Sequence, residues 1–256
     1  MSSVKVYISG FSALHTDGIY TPDGITPWES DQKGPLDVRR NQVLPSPYPS
    51  FGKLNIPDRL AFSAAASALS RTNQTVGEKT GICMCIPQGS LSTDLLYMDS
   101  VLNGFPSPAF FSATLPSSTI ADIAIFFKLK GPDRIFCGGD LPGFSAIDTA
   151  AYWLKSGKAE RVLWVAVWES SGDFTKTPEK KTDCAIAILL SNTPESGYLA
   201  EMEFRPDLLL TSKDQECNEQ EFFMSVINSL MKKREEIISV PGSGFRGYIS
   251  LRYDGY

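Results

Sequence analysis

The chain has 256 residues, 42% of them hydrophobic and 21% charged, with 24 Lys plus Arg against 29 Asp plus Glu. This is a globular composition, long enough to bury roughly 70–75% of the unfolded surface without disulfides or metal, as one large domain or two small ones. A net charge of −5 excludes a nucleic-acid surface, which must be basic to neutralise phosphate, and is too mild for a solvating tail.

The single histidine, His15, excludes His-rich metal sites and most imidazole relays, and no cofactor or metal is expected. The five cysteines are Cys83, Cys85, Cys137, Cys184 and Cys217. None forms a CxxC pair, and all but Cys217 adjoin apolar residues, so they read as buried free thiols of a reducing cytosol. No apolar run has the length of a signal-peptide core or a membrane span, and a cytoplasmic location is expected.

In chain order, Val4 to Ile8 reads as a strand closed by Ser9-Gly10. Residues 17 to 57 are rich in Gly, Pro, Ser and Asp without a period, and read as a long irregular insertion. Asp58 is placed to cap an Ala-rich helix reaching Leu69. Thr80 to Ile86 has strand length, and residues 90 to 102 show helical spacing. Ser117 to Lys128 reads as a helix with Ile120, Ile123, Ala124 and Phe127 on one face, stopped by Gly131-Pro132.

Asp133 to Cys137 reads as a strand, Gly138 to Gly143 as a tight turn, and Phe144 to Ser156 as a helix. Phe144, Ile147, Ala151 and Leu154 form one apolar stripe of that helix, and Ala146, Ala150 and Trp153 form another, which implies burial on all sides. Val162 to Trp168 and Cys184 to Leu190 are continuous apolar runs, as in strands covered on both faces. Asn218 is placed to cap a helix with a stripe of Phe222, Phe223, Val226, Ile227, Leu230 and Met231. Lys232-Lys233-Arg234 follow where the helix dipole favours cations and read as a solvated helix end. Gly247 to Arg252 offers a further strand. Strands alternating with helices make the class α/β.

Gly242-Ser243-Gly244-Phe245-Arg246-Gly247 spells GxGxxG, but a helix precedes it and a strand follows. A dinucleotide site needs the reverse order, so the match carries no NAD site. There is no Walker A and no GxSxG, and a serine triad would have to use His15. The strand–turn–helix around residue 140 is more informative. It places a side chain at a helix N-terminus, where a nucleophile is activated.

Here the chain resembles the β-ketoacyl synthases, condensing enzymes of the thiolase-like fold. The resemblance runs through Val4-Lys5-Val6-Tyr7-Ile8-Ser9-Gly10, Asp58-Arg59-Leu60-Ala61-Phe62, Ser107-Pro108, Leu115-Pro116-Ser117-Ser118 and Lys128-Leu129-Lys130-Gly131-Pro132. It continues through Leu154-Lys155-Ser156-Gly157-Lys158-Ala159-Glu160 and Asp183 to Leu190, covering about residues 3 to 204 in order. It implies a thiolase-like N-terminal half, a mixed five-stranded sheet with helices on both faces, over 1–204. Residues 205–256 would be a short helix–strand remnant packed on the same domain, the second half being mostly missing.

The departures concern the chemistry. Counted without gaps from Gly131-Pro132, the family's catalytic cysteine falls on Asp140, and a carboxylate forms no thioester. Cys137 lies three residues earlier, inside the expected strand. The family's pair of histidines, or histidine and asparagine, which stabilises the enolate oxyanion, has no counterpart in a chain whose one histidine is near its start. Cys137, Gly139, Asp140 and Phe144 therefore mark a degenerate nucleophile turn.

Family members dimerise through the strand corresponding to Asp133, Arg134, Ile135 and Phe136. A homodimer, or a heterodimer with a complete synthase, is thus implied. Three functions stay open: a non-catalytic partner subunit in fatty-acid, polyketide or aryl-polyene type biosynthesis, an acyltransferase using Cys137, and a binding module that kept only the fold. An acidic acyl carrier protein as partner would need a basic patch. Arg39-Arg40 and Lys232-Lys233-Arg234 are the clusters visible in the sequence, and both read as ordinary surface.

Overall fold

A computed structural model describes residues 4–29, 36–44, 48–70, 72, 76–139, 141–170, 183–194, 197–205, 219–234, 236–239 and 248–253. In order, the elements are β1 (Val4–His15), β2 (Gly18–Thr21), β3 (Gly24–Pro27), α1 (Arg40–Val43), α2 (Ile56–Leu69), β4 (Thr80–Cys85), α3 (Leu91–Leu102), α4 (Pro108–Ser112) and α5 (Ser117–Phe127). Then follow β5 (Asp133–Phe136), α6 (Pro142–Lys155), β6 (Arg161–Trp168), β7 (Cys184–Ser191), β8 (Ala200–Arg205), α7 (Glu219–Lys232), β9 (Glu236–Ser239) and β10 (Tyr248–Arg252).

The strands form one sheet in the order β5-β4-β6-β7-β1-β8-β10-β9, with the β2–β3 hairpin attached to β1. β4 runs parallel to β5 and β6, while β7 is antiparallel to both β6 and β1. The parallel pairs follow from helical crossovers, since parallel neighbours need a long return path. The five strands expected from the sequence are adjacent in this sheet. It does not stop at five, because β8, β10 and β9 continue it beyond β1, so the C-terminal elements extend the same sheet.

Alternation along the central strands builds two cores. Val162, Trp164, Ala166 and Trp168 face α6 and α7, with Cys83, Cys85, Ile186 and Ile188. Leu163, Val165 and Val167 face α2 and α5, with Ile82, Met84, Ala187 and Leu189. A strand whose every residue is buried can supply both layers only because successive side chains point to opposite faces. Gly10 lets α2 lie close on β1. A Cβ there would meet Thr72 Cγ2 at 2.6 Å and the Ala68 carbonyl oxygen at 2.8 Å.

Several local expectations are corrected. The stretch 17–57 is not irregular throughout, since it carries the β2–β3 hairpin and α1. Four-residue strands are too short to display a period. α2 begins at Ile56 and is capped by Asn55, whose side chain accepts the Asp58 N–H at 2.9 Å. Asp58 is one turn inside, where Pro57 is tolerated because first-turn N–H groups lack helical partners. α5 spans Ser117–Phe127 with Lys128 as its C-cap, as expected, and what stops it is Lys128 in the left-handed region (φ 56°), ahead of Gly131-Pro132.

α6 is not buried all round. Ser145, Asp148, Tyr152 and Lys155 form an exposed stripe between its two buried ones. Asn218 and the GxGxxG stretch lie outside the described residues.

Candidate functional site

The parallel strands all end on one side of the sheet, where open α/β sheets carry their sites. β5 ends at Phe136, so Cys137 stands just past the strand and not inside it, and its side chain is exposed, unlike buried Cys83, Cys85 and Cys184. Cys217 lies outside the described residues. Gly138 and Gly139 then turn the chain with φ of 67° and 83°, a left-handed pair that side chains disfavour. The Gly138 N–H donates to the Pro87 carbonyl at 2.8 Å, fastening the turn to the end of β4. Asp140 lies outside the described residues, and Pro142 opens α6.

The N-terminus of α6 is occupied by a carboxylate of this chain. Glu219 of α7 accepts the Gly143 N–H at 3.2 Å and the Phe144 N–H at 3.0 Å. Burial pushes its carboxyl pKa up, and those two hydrogen bonds pull it down. A negative group there offsets the helix dipole that would otherwise favour a thiolate. Consistently, burial raises the Cys137 thiol, and Cys85 is raised first by burial and then by the Glu219 charge. Phe144 packs on Phe222 and Phe223 with ring centroids 4.9 and 5.0 Å apart, so α7 covers the N-terminal end of α6.

β5 is the last strand of the sheet and pairs with β4 alone among the described strands. Asp133 and Arg134 are exposed, and Ile135 and Phe136 are half-buried. The Arg134 guanidinium lies 5.9 Å from the Phe136 ring centroid. In the chain between β4 and β5, α3 buries Thr93 alone and α4 buries nothing. Leu96, Met98, Leu102, Phe105, Phe111 and Leu115 are each at least half exposed there. Large exposed apolar patches are a common feature of interaction sites.

No family model and no curated protein matches the sequence. Solved structures do match. One is a ketosynthase (ApeO) in complex with its chain length factor (ApeC) from Xenorhabdus doucetiae, at 15% identity and a TM-score of 0.63, covering 96% of this chain and 99% of the other. A second is a type II acyl-carrier protein in complex with its ketosynthase (AntDE:AntF), at 14% identity and a TM-score of 0.64, covering 98% and 99%. The ishigamide ketosynthase/chain length factor matches at 21% identity and a TM-score of 0.60, over 80% of this chain and 68% of that one.

The chain has the thiolase-like fold of the ketosynthases.

In this ketosynthase-like chain, Cys137 and Gly139 lie in the turn after β5, Phe144 lies in the first turn of α6, and Asp133 to Phe136 form a sheet edge paired with β4 alone among the described strands. His15 ends β1 and bonds Asp17 through Nδ1 at 3.0 Å. Arg39 and Arg40 are exposed at α1, and Lys232, Lys233 and Arg234 at the end of α7. Sequence reasoning missed Glu219 and the α3–α4 face. Glu219 is acidic at a helix start, which alone looks like ordinary dipole compensation. The face was present in the sequence as apolar residues of a helical segment, but their burial could not be read there. No helix among the described residues is long and apolar enough to cross a membrane.

Proposed function

We propose that this ketosynthase-like chain is a partner subunit that seats against an active ketosynthase and performs no condensation itself. The observation that carries the reading is the exposed apolar face of α3–α4, together with a β5 edge that pairs with β4 alone among the described strands. Two solved chains that match end to end come from assemblies containing a ketosynthase, one of them with a chain length factor. A role in setting acyl-chain length within polyketide or aryl-polyene type biosynthesis fits that likeness. An acyl carrier protein would be the further partner.

The chemistry supports the same reading. Asp140 stands at the ungapped nucleophile position, and the Cys137 thiol is shifted away from ionisation. Decarboxylative condensation also needs preorganised donors for the enolate oxygen, and the chain's one histidine is engaged with Asp17. The exposure of Cys137 at the turn favours a second reading, an acyltransferase with Cys137 as nucleophile.

The test is sedimentation of the purified chain, alone and mixed with each ketosynthase of its source organism, alongside intact mass after incubation with acyl- and malonyl-thioesters. The partner reading expects a one-to-one complex and no acyl adduct. A lone 28.1 kDa species at micromolar concentration that joins no ketosynthase would overturn it. An adduct that disappears in Cys137→Ala would establish the second reading.

A further inference from the structure

The excursion that carries α3 and α4 is closed at its base, where a Cβ on Gly89 would stand 3.6 Å from Pro116 Cγ and 3.8 Å from Cys137 Cβ. Within it α4 folds back on α3. The Tyr97 and Phe111 ring centroids are 5.4 Å apart, and the Ser107 N–H donates to Ser100 Oγ at 3.0 Å. The inner side of α3 is fastened by polar contacts. Asn55 Nδ2 donates to Thr93 Oγ1 at 2.8 Å, and Ser92 Oγ donates to Glu169 Oε2 at 2.8 Å. Thr93 is fully buried, which turns the opposite side of the helix outward.

On that outward side Leu95, Met98 and Leu102 recur at i, i+3 and i+7 and form one exposed apolar stripe. At roughly 100° per residue, Asp94 falls on one flank of the stripe and Asp99 on the other, and both are exposed. Neither carboxylate is paired with a cation among the described residues. Residues 80–127 contain no Lys or Arg, although the chain has 24. The third acid of that stretch, Asp122, is engaged by Tyr48 OH at 3.3 Å. β5 adds one charge of each sign, Asp133 and Arg134.

We infer that Asp94 and Asp99 act as a charge filter on this face, keeping two copies of the chain apart and admitting a ketosynthase whose apolar surface is flanked by Lys or Arg. The filter rests on the reading of α3–α4 as the partner face and states the chemistry of the surface that fits it.

The two occupants are separated by symmetry. In a two-fold pair the same patch meets itself. The apolar stripes would match, but carboxylates would face carboxylates, with no cation in residues 80–127 to oppose them. Like charges brought together at an interface suppress that pairing, whereas opposite charges at its rim speed encounter and fix register. A surface with basic flanks satisfies the stripe and both acids at once.

Sedimentation equilibrium of the full chain tests the filter without any partner, using the double variant Asp94→Lys, Asp99→Lys. In about 0.1 M salt the wild type should remain at 28.1 kDa at micromolar concentration, and the variant should stay monomeric too. An equimolar mixture should form a dimer, because each flank then meets its opposite. That dimer should weaken about tenfold in about 1 M salt, as the Debye length falls from about 10 Å to about 3 Å. A wild-type dimer as tight as the mixed one, or a mixture that stays monomeric, would overturn the filter. Against a ketosynthase that binds the wild type, the double variant should bind about tenfold more weakly, and equal or tighter binding would overturn the basic flanks. Failure of the wild type to bind any ketosynthase would instead overturn the partner reading and leave the mixing result unchanged.

Discussion

Glu219 of α7 accepts the backbone N–H of Phe144 at 3.0 Å and so caps a helix 75 positions earlier in the chain. The contact joins α7 to the turn between β5 and α6. Removing the carboxylate leaves two buried N–H groups without their acceptor. Glu219→Ala should therefore cost about 2 kcal/mol in urea unfolding, with Glu219→Gln losing less, because its amide oxygen still accepts one bond.

The same group sets a pH trend. Burial raises the Glu219 carboxyl above its ordinary value, so folding favours its protonated form. Its contribution is largest below the unfolded value of roughly 4.3 and is lost as pH rises through the raised one. Glu219→Gln should flatten that part of the stability profile. An identical acid-limb slope in the two proteins would count against the assignment.

Gly143 makes the approach of α7 possible. A Cβ there would meet Phe223 Cε2 at 2.9 Å and Glu219 Oε1 at 3.1 Å. Gly143→Ala should destabilise by about 1–3 kcal/mol, the range for overpacking a filled core. The Phe223 ring, 4.5 Å from that of Trp164, should move, and a loss of near-UV circular dichroism would report it.

Native-state alkylation separates the thiols. Cys137 is exposed while Cys83, Cys85 and Cys184 are buried. Iodoacetamide followed by peptide mass mapping should label Cys137 before the other three. Its rate should be slow at pH 7 and climb at alkaline pH, because partial desolvation raises its pKa and the thiolate is the reactive form. Rapid labelling at pH 7 would indicate an activated thiol and favour the acyltransferase reading.

The α3–α4 face admits a clean separation of binding from folding. Leu96 and Phe111 are 50% and 61% exposed. Leu96→Asp with Phe111→Asp should change unfolding free energy by less than about 1 kcal/mol, as surface substitutions do. The same pair should abolish the ketosynthase complex in sedimentation. A complex that survives both substitutions would place the interface elsewhere.

The α/β class and the five central strands were legible in the sequence because their information is local. Cys184 to Leu190 and Val162 to Trp168 are apolar at every position, and such short runs between helical segments are strands covered on both faces. The paired apolar stripes of α6 were legible for the same reason. The β2–β3 hairpin was not, since its strands are four residues each. The strand end at Phe136 was not either, because Cys137 is as compatible with a strand as its neighbours and only its missing ladder partner excludes it.

By itself the sequence determined the central strands and the longer helices, the single histidine and the resemblance to condensing enzymes, all properties of residue type and short-range spacing. Tertiary structure alone decided where those segments meet. It placed Glu219 on the N-terminus of α6, left β5 at the sheet edge, and put the apolar side chains of α3 and α4 outside instead of in a core. The physical reason is that an apolar stripe encodes the need for burial but not its partner, and burial depends on contacts between residues far apart in the chain.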